Sequence, residues 1–371
     1  MSADILKLSC KNFRSYGTLV LSFSSRFVVF YGENGAGKTN ILEAISLFSS
    51  DRGLRKATIV DLNSLKATPF SWHLELALEK DKYKTFLSTG AQNGRRLAKI
   101  DNVSVDSLSK FEEIIWILWA IPSMNNVFMG QSDRRGFFDH LVNGYDAGHK
   151  QALKTLSKLQ KERLHVIFYR KDERWLDVLE KKISEESIKV TRYRLNFLEV
   201  LENIFKNHPS DFLRPKISIS GAIERIYTAQ TEEDAILEIA SVLKHNRFTD
   251  ADKQTTSVSC HRTFWQVEHP KTFLESEQCS TGEQKAFLIS LILATLRIYQ
   301  QSRSGIPVLL LDDLMVHLDN ISRKKLVHEL LAINVQTFFT GTDKNLFDDL
   351  LGIAQMYQVK KSICTDMTNS S

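Results

Sequence analysis

Apolar residues recur along the chain with two different periods, and each period predicts a different kind of element. Over residues 72–79, large apolar side chains alternate with polar or small ones, which is the period of a half-buried strand. The pattern predicts meandering strands over residues 72–105, with a hairpin turn at 92–94. Residues 5–30 are also strand-like, and the apolar run at 28–31 is typical of a buried strand.

Further along, apolar residues recur in steps of three and four. This spacing predicts amphipathic helix from Asp133 to Phe205, ending at His208-Pro209. The dense charges from Lys150 to Lys189 are expected to form a solvated helical face. A further long helix is predicted over residues 282–300.

Strand-like patterns return in the C-terminal half of the chain. They cover residues 216–227 and 257–268, and two buried strands are predicted at 307–311 and 337–340. The polar residues after Lys361 are expected to fray. A core of this size, with both strands and helices, indicates an α/β protein.

Composition changes this picture little. The 371 residues are 43% apolar and 25% charged, which excludes a wholly disordered chain. The net charge of +5 permits nucleic-acid binding without arguing for it. No apolar run approaches the length of a membrane span. The four cysteines lie far apart, which favours reduced thiols and a cytoplasmic protein.

One segment carries a specific phosphate-binding pattern. Residues 32–39 complete the G-x-x-x-x-G-K-[ST] motif between a predicted buried strand and a predicted helix. Lys38 would reach the β- and γ-phosphates of ATP and assist catalysis, and Thr39 would place its hydroxyl on Mg²⁺. The residues predicted to bind the nucleotide here are Gly32, Glu33, Asn34, Gly35, Ala36, Gly37, Lys38 and Thr39.

Two carboxylates end the predicted strand at residues 307–311. Asp312 would hold Mg²⁺, directly or through water. Asp313 would orient or deprotonate the attacking water and is the predicted catalytic residue. A carboxylate in this position can instead cap a turn, but the complete phosphate loop favours the catalytic role.

A second candidate nucleotide site opens the helix predicted at residue 282. Two capping boxes overlap there, with Ser280 paired to Glu283 and Thr281 to Gln284. The same residues, with Gly282, would also form an anion site at a helix N-terminus. The spacing alone leaves both interpretations open.

The order of these three motifs resembles that of an ABC-type ATPase head, and nearly the whole chain resembles the RecF family of recombination mediators. The segments that carry the resemblance are Asn12-Phe13-Arg14-Ser15-Tyr16, residues 32–43, Ser46-Leu47-Phe48-Ser49, Arg52-Gly53-Leu54-Arg55, Asp133-Arg134-Arg135 with Phe138-Asp139, residues 279–285 and Leu318-Asp319.

The resemblance implies a fold and a division of the chain. Lobe I, with mixed sheets around a central helix, would join residues 1–120 with 300–371. A mostly helical lobe II, residues 121–299, would carry the second motif. Two such heads would sandwich two ATP molecules, with Ser280 and Gly282 of one subunit on the γ-phosphate bound by Lys38 of the other. Asp319 would lie at the dimer seam.

The resemblance also implies a function. The family acts on gapped DNA and cooperates with RecR, and with RecO, to help RecA replace single-strand-binding protein. ATP would close the dimer on DNA and hydrolysis would release it, so the ATPase would be weak, DNA-stimulated and used as a switch. Two alternatives are the ATPase subunit of a membrane transporter and a DNA nuclease carrying this kind of head.

Three departures from the family pattern predict slow hydrolysis. Ile121-Pro122-Ser123 lacks the glutamine that senses Mg²⁺ and the γ-phosphate in many relatives. Residues 259–264 retain only His261 and Arg262 of a usual Gly-Pro-His-Arg motif. Thr340 to Asp343 stand where transporter-type heads carry a histidine.

Basic residues in two places are candidate contacts to DNA phosphates. They would give affinity that depends on salt and not on base sequence. Ordinary surface charge or ion pairing is the competing explanation for each group. The candidates are Arg52, Arg55 and Lys56 after the first helix, and Arg134 and Arg135 before the helical segment.

Overall fold

The computed structural model describes residues 3–49, 52–64, 71–92, 94–121, 127–170, 172–302 and 305–368. The chain divides into two compact units. The first unit comprises Met1–Met124 with Gln300–Ser371, and the second unit is Asn125–Tyr299.

Strands and helices are numbered in chain order. The strands are β1 (Ala3–Phe13), β2 (Tyr16–Ser22), β3 (Phe27–Tyr31), β4 (Ser71–Lys80), β5 (Tyr83–Gln92), β6 (Arg95–Ile100), β7 (Val103–Ser104), β8 (Ile115–Ala120), β9 (Lys216–Ser220), β10 (Phe264–Glu268), β11 (Ile306–Leu311), β12 (Gln336–Gly341), β13 (Ala354–Lys360) and β14 (Ile363–Asp366). The helices are α1 (Lys38–Ser46), α2 (Gln131–Tyr145), α3 (Ala147–His165), α4 (Glu173–Asn207), α5 (Ala222–Ala229), α6 (Glu232–His245), α7 (Arg247–Lys253), α8 (Thr281–Ser302) and α9 (Asn320–Ile333).

Two sheets form the first unit. One is antiparallel, in the order β2-β1-β4-β5-β6-β7. The other has the order β14-β13-β3-β12-β11-β8 and is parallel except for β14. The apolar residues of α1, including Ile41, Leu42 and Ile45, belong to one core with residues of both sheets. This helix is apolar on most sides because it is buried on most sides.

The strand order of the parallel sheet brings the residues of the candidate site together. β3 and β11 both lie beside β12, so the ends of three parallel strands meet at one edge. Residues that follow β3 and β11 are far apart in sequence, but the sheet brings them together. This is the edge at which ligands bind in open α/β sheets.

The second unit is mostly helical. Its helices α3 and α4 pack side by side, and α6 packs on α4. A small antiparallel sheet pairs β9 with β10. Residues 222–227, which were predicted as strand, belong to α5. Ile223, Ile226 and Tyr227 lie at helical spacing and pack on the core of this unit.

The C-terminal residues also differ from the prediction. Strand β14 follows Lys361, so this segment is not frayed. Lys361 and Ser362 both have positive φ, 49° and 61°, as a tight hairpin turn requires. Val359 pairs with Cys364 across the hairpin, and the Met367 N–H donates to the carbonyl of Met356 at 2.7 Å. Backbone pairing outweighs the polar composition here.

The charged stretch at residues 150–189 is only partly a solvated face. Arg163 is fully buried and donates to the carboxylates of Glu180, at 2.9 Å, and Asp250, at 2.7 Å. Its third contact is the Leu243 carbonyl, at 2.6 Å. Both carboxylates are also buried; Arg163 is the cation paired with Asp250, and it shares Glu180 with Arg247.

Replacing Arg163 with methionine should therefore lower the free energy of unfolding by about 3–5 kcal/mol, since it leaves buried carboxylate charge uncompensated. Urea denaturation followed by circular dichroism measures the change. The control is Lys189→Met, which breaks an exposed pair with Glu186 and should cost less than about 1 kcal/mol. Equal losses in the two variants would contradict the role given to Arg163.

Candidate functional site

The phosphate loop lies between β3 and α1, as the motif predicts. Gly32 has a φ of 150°, and a Cβ there would stand 2.2 Å from the carbonyl oxygen of Val359. Gly37 has a φ of 114°, and a Cβ there would stand 2.7 Å from the Tyr16 hydroxyl. That hydroxyl donates to the Gly37 carbonyl at 3.1 Å. Both positions therefore require glycine.

The N-terminus of α1 is available to an anion. Gly37 is its N-cap and makes no side-chain capping hydrogen bond to the first-turn N–H groups. By contrast, Asp319 caps α9 by accepting from the Ser322 N–H at 2.9 Å. Uncapped N–H groups and the helix dipole together favour a phosphate at this end of α1.

Lys38 points back into the loop. Its ammonium donates to the carbonyls of Gly32, at 2.7 Å, and Glu33, at 2.9 Å. Lys38 is 4% exposed, and burial lowers its pKa, while the nearby Asp313 and Asp312 carboxylates act in the opposite direction. A charged phosphate would be a stronger acceptor than the two carbonyls that hold the ammonium here.

Asp312 is the centre of a small hydrogen-bonded group. Its Oδ1 accepts from the hydroxyls of Thr39, at 2.9 Å, and Thr340, at 2.7 Å. Burial raises the pKa of this carboxyl, and the two hydroxyls partly offset the effect. Thr39 follows β3, Asp312 follows β11 and Thr340 lies in β12, so the parallel sheet assembles the group.

Asp313 adopts a left-handed backbone conformation, with φ 49°. Its N–H donates to the Thr340 hydroxyl at 2.8 Å, so Thr340 bridges both aspartates. One carboxylate oxygen, Oδ1, is buried and has no hydrogen-bond partner in the described part of the chain. A buried acceptor without a donor is costly, and it marks a place where a water or another donor is bound.

These residues fit a magnesium ion. Hydroxyl and carboxylate oxygens are ligands that Mg²⁺ prefers, and it usually takes only one or two carboxylates together with phosphate oxygens. The Thr39 hydroxyl and the Asp312 carboxylate supply such donors beside the phosphate loop. The unpartnered oxygen of Asp313 is suited to accept from a water near the same ion.

A cleft of ≈ 420 Å³ borders the loop. One wall is formed by residues 32–36, and the others by residues 342–344 and 358–361. Thr342 and Asp343, noted in the sequence where transporter-type heads have histidine, therefore line the space beside the phosphate loop.

Ser280 caps α8, as the first predicted capping box requires. The Ser280 N–H and hydroxyl both donate to the Glu283 carboxylate at 2.8 Å, and the Glu283 N–H donates to the Ser280 hydroxyl at 3.3 Å. These bonds lower the pKa of Glu283. The reciprocal pattern is that of a capping box.

The second predicted capping box, Thr281 with Gln284, is wrong. Gln284 is buried, and its amide donates to the carbonyls of Ser276, at 2.7 Å, and Cys279, at 3.3 Å. Gln284 thus holds the turn before α8, and its amide does not face a nucleotide.

Gly282 lies in open space. A Cβ at this position would meet no atom within 4 Å among the residues that the structure describes. Glycine in a helix is about 0.5–1 kcal/mol less favourable than alanine. No packing inside the described chain explains this glycine.

The candidate DNA contacts separate into distinct environments. Arg134 is fully buried, and its guanidinium donates to the Trp265 carbonyl at 2.9 Å and to the Glu277 carboxylate at 2.7 Å. The prediction that Arg134 contacts DNA is therefore wrong, because its charge serves the interior of the second unit. Its neighbour Arg135 is half-buried and donates to the Thr263 carbonyl at 3.1 Å. Burial lowers the pKa of Arg135.

The other group follows α1. Arg52 and Lys56 are exposed. Arg55 is exposed but donates to the Asn40 side chain, at 2.9 Å, and pairs with the buried Glu43, at 3.3 Å. Arg55 is also close enough to Asp312 to oppose the upward pKa shift of that carboxyl. Ion pairing thus accounts for part of the role of Arg55.

Two contacts were not anticipated from the sequence. Thr340 joins Asp312 to Asp313, and the only signal for it is a hydroxyl at the end of a buried strand. Arg14, which the sequence marks only as part of the family resemblance, donates two hydrogen bonds of 2.6 and 2.8 Å to the carboxylate of the fully buried Glu43 in α1. The predicted departure at Pro122-Ser123 lies outside the described residues.

The described residues contain neither a membrane-spanning helix nor a metal-binding cluster of acidic, histidine and cysteine side chains. No helix there is long and apolar enough to cross a membrane. No group of three or more His, Cys, Asp or Glu side chains within the same residues is placed to hold a metal.

Comparison with known proteins gives consistent results. The model of the RecF/RecN/SMC N terminal domain matches residues 4–365. The DNA replication and repair protein RecF of Mesorhizobium japonicum is 33% identical over 362 residues, covering 96% of each chain. The protein of the same name from Brucella abortus is 34% identical over 365 residues, covering 96% of this chain and 94% of that one.

Solved structures agree on the fold. The "Structure of the recombination mediator protein RecF-ATPrS in RecFOR pathway" matches with a TM-score of 0.85 at 22% identity, over 98% of both chains. The Smc head domain of Pyrococcus furiosus matches with a TM-score of 0.54 at 16% identity, over 98% of this chain and 96% of that one. The predicted fold class, an α/β ABC-type P-loop ATPase head with a mostly helical second part, is confirmed. With the family model and the curated relatives each covering almost all of its length, the chain belongs to the RecF family.

Proposed function

We propose that this protein is an ATP-dependent, DNA-binding recombination mediator of DNA replication and repair. The observation that carries the proposal is the group at the end of the parallel sheet, in which Thr39, Asp312 and Thr340 are hydrogen-bonded next to an uncapped helix N-terminus. Family membership supports the DNA function, since the curated relatives are DNA replication and repair proteins.

In the proposed nucleotide complex, the N–H groups of residues 35–39 surround the phosphates and the Lys38 ammonium exchanges its two carbonyl partners for phosphate oxygens. Thr39 and Asp312 hold Mg²⁺, which neutralises phosphate charge. Asp313 accepts a proton from the attacking water through its unpartnered oxygen, and Thr340 keeps the two aspartates in register. The solved relative named as an ATP complex supports the choice of nucleotide.

The proposed active form is a dimer. Ser280 and Gly282 of one copy contact the γ-phosphate bound by Lys38 of the other copy, and the neighbouring Thr281 and Glu283 complete the helix N-terminus at which it binds. The open position of Gly282 supports this, because a phosphate approaching from a second copy needs the space that a side chain would fill. ATP then stabilises only the closed dimer, and hydrolysis releases it.

The closed dimer would bind duplex and gapped DNA without base specificity. Arg52 and Lys56 are the exposed cations retained as phosphate contacts, with Arg55 and Arg135 in secondary roles. Cooperation with RecR, and with RecO and RecA downstream, in the cytoplasm, completes the proposal. ATPase activity stimulated by DNA would support this proposal and argue against a transporter subunit. Strand cleavage with Mg²⁺ would instead indicate a nuclease.

Replacing Asp313 with asparagine tests the catalytic assignment. The variant should retain ATP binding but hydrolyse ATP about 100-fold more slowly or worse, because the amide cannot accept the proton of the attacking water. The DNA-bound dimer should persist longer in proportion. Phosphate release and DNA dissociation are the measurements, and Asp348→Asn, an exposed carboxylate that lines neither the phosphate loop nor its cleft, is the control. Wild-type turnover in Asp313→Asn would remove Asp313 from catalysis.

A further inference from the structure

Helix α3 of the second unit presents a basic face to solvent. Its exposed residues are Ala147, Gln151, Lys154, Lys158, Lys161 and His165. They follow steps of three and four, so they share one face of the helix. None of them is acidic, although charged residues of both signs are common in this part of the chain.

The three lysines on this face have no partner of their own. Within the part of the chain that the structure describes, Lys154, Lys158 and Lys161 make neither an ion pair nor a hydrogen bond. The one carboxylate three or four positions from any of these lysines along α3 is Glu162, and it makes no ion pair with Lys158 in the described structure. A face with three free lysines attracts an anionic chain.

Several carboxylates of α4 and α7 are already paired with arginines. Glu180 and Asp250 are bonded to the buried Arg163. Glu173 and Asp177, together with Glu180, are bonded to Arg247. These ion pairs neutralise part of the negative charge of α4 and α7 within the unit itself, so that part does not offset the positive charge of the α3 lysines.

Exposed aromatic rings continue the basic face. The chain runs from His165 into the turn Val166–Arg170, where Tyr169 is 78% exposed and Phe168 is 40% exposed. The rings of His165 and Tyr169 contact each other, with centroids 4.9 Å apart. Exposed aromatic rings that lie next to one another are a feature of binding surfaces, whereas singly scattered ones are common.

We propose that this face, from Lys154 to Tyr169, binds single-stranded DNA. The lysines follow the phosphates, and the aromatic rings stack on unpaired bases. A positive track combined with aromatic platforms is how proteins bind single strands without sequence preference. At 1.5 Å per residue the face is about 22 Å long, enough for a few nucleotides. A duplex would satisfy the lysines but not the rings, because its bases are already stacked.

The site deepens the proposed function by supplying a contact for the single-stranded part of gapped DNA. It makes no use of the nucleotide site, so the two proposals fail separately. The second unit carries the whole face, and the full-length protein is used in every measurement.

The test is fluorescence anisotropy with a labelled oligo(dT) 20-mer and with a duplex of equal length. Replacing Lys154, Lys158 and Lys161 together with glutamine should weaken oligo(dT) binding about tenfold and reduce the salt slope by about two. Tyr169→Ala should weaken oligo(dT) binding roughly fivefold or more, with duplex binding nearly unchanged. The control changes three exposed lysines elsewhere on the same unit to glutamine: Lys206, Lys253 and Lys271.

Three results would overturn the proposal. The first is oligo(dT) affinity of the triple variant equal to that of the control. The second is an equal loss of duplex and single-strand affinity in Tyr169→Ala, which would indicate a general fold or duplex effect. The third is full oligo(dT) affinity in Tyr169→Ala. Nucleotide binding, measured in parallel with a fluorescent ATP analogue, should stay at the wild-type level in all variants, and circular dichroism should show that the helical second unit of each variant is folded.

Discussion

Replacing Lys38 with alanine should abolish ATP binding at micromolar nucleotide. The Lys38 ammonium is the one cation seated inside the phosphate loop among the described residues, and it is held there by the carbonyls of Gly32 and Glu33. Removing a buried charged partner typically costs 2–5 kcal/mol, so the affinity should fall about 100-fold or more. Isothermal titration calorimetry with ATP and Mg²⁺ measures the loss directly.

Lys84→Ala provides the matched control, since it removes the same charge from an exposed position of β5. The control should bind ATP as the wild type does. Circular dichroism should show that Lys38→Ala is folded, because the two carbonyls that lose their partner lie in the loop and not in a core element. An undiminished ATP affinity in folded Lys38→Ala would contradict the assignment of the phosphate loop.

Replacing Ser280 with arginine should leave ATP binding by the monomer intact and prevent dimer formation. Ser280 lies at the exposed N-terminus of α8, and its hydroxyl caps the helix through Glu283. Loss of the cap should cost about 1 kcal/mol, too little to unfold the chain. The large side chain, however, would occupy the place proposed for the γ-phosphate of the second copy. Light scattering with ATP measures the dimer.

Gly282→Ala separates the two effects of that substitution. A Cβ at Gly282 meets nothing within the described chain and should slightly stabilise α8. The variant should nevertheless weaken the ATP-dependent dimer, because the added methyl group points into the proposed contact. Wild-type dimer formation in both Ser280→Arg and Gly282→Ala would show that this helix end does not take part.

The phosphate loop could be predicted because its residues are consecutive and their spacing alone specifies the turn. The aspartates at the end of β11 could be predicted because the complete phosphate loop favours a catalytic role for acids at the end of a buried strand. Thr340 could not, because its contact with Asp312 depends on β12 lying beside β11. Strand order is a property of the whole sheet and leaves no local signal in the sequence.

Burial of charged residues was the hardest feature to anticipate. Arg134 and Arg135 are neighbours on α2, yet Arg134 is fully buried and Arg135 is half-buried. Successive helical positions differ by about 100°, so two neighbours on a helix cannot both face the same way. The spacing of apolar residues does not mark which of the two is buried, because arginine is not counted among the apolar positions. The partners that make this burial possible, Trp265 and Glu277, are more than a hundred residues away in sequence.

Local pattern also failed where pairing decided the outcome. The residues after Lys361 are polar, but β14 closes a hairpin with β13 and so joins the sheet. In α5, Ile223 and Ile226 stand three positions apart, which suits a helical turn, but the alternating residues 216–220 just before them extend the strand-like pattern into this segment. Short segments are ambiguous because so few residues define their period.

Sedimentation velocity of the Asp313→Asn protein with Mg²⁺, in the absence and presence of ATP, tests the central claim most directly. Blocked hydrolysis keeps any ATP-held complex closed during the run. The account predicts a monomer without nucleotide, a dimer of twice the mass with ATP, and co-sedimentation of that dimer with gapped DNA. A single monomeric boundary at every ATP and DNA concentration, at which ATP binding is shown to be saturated, would contradict it.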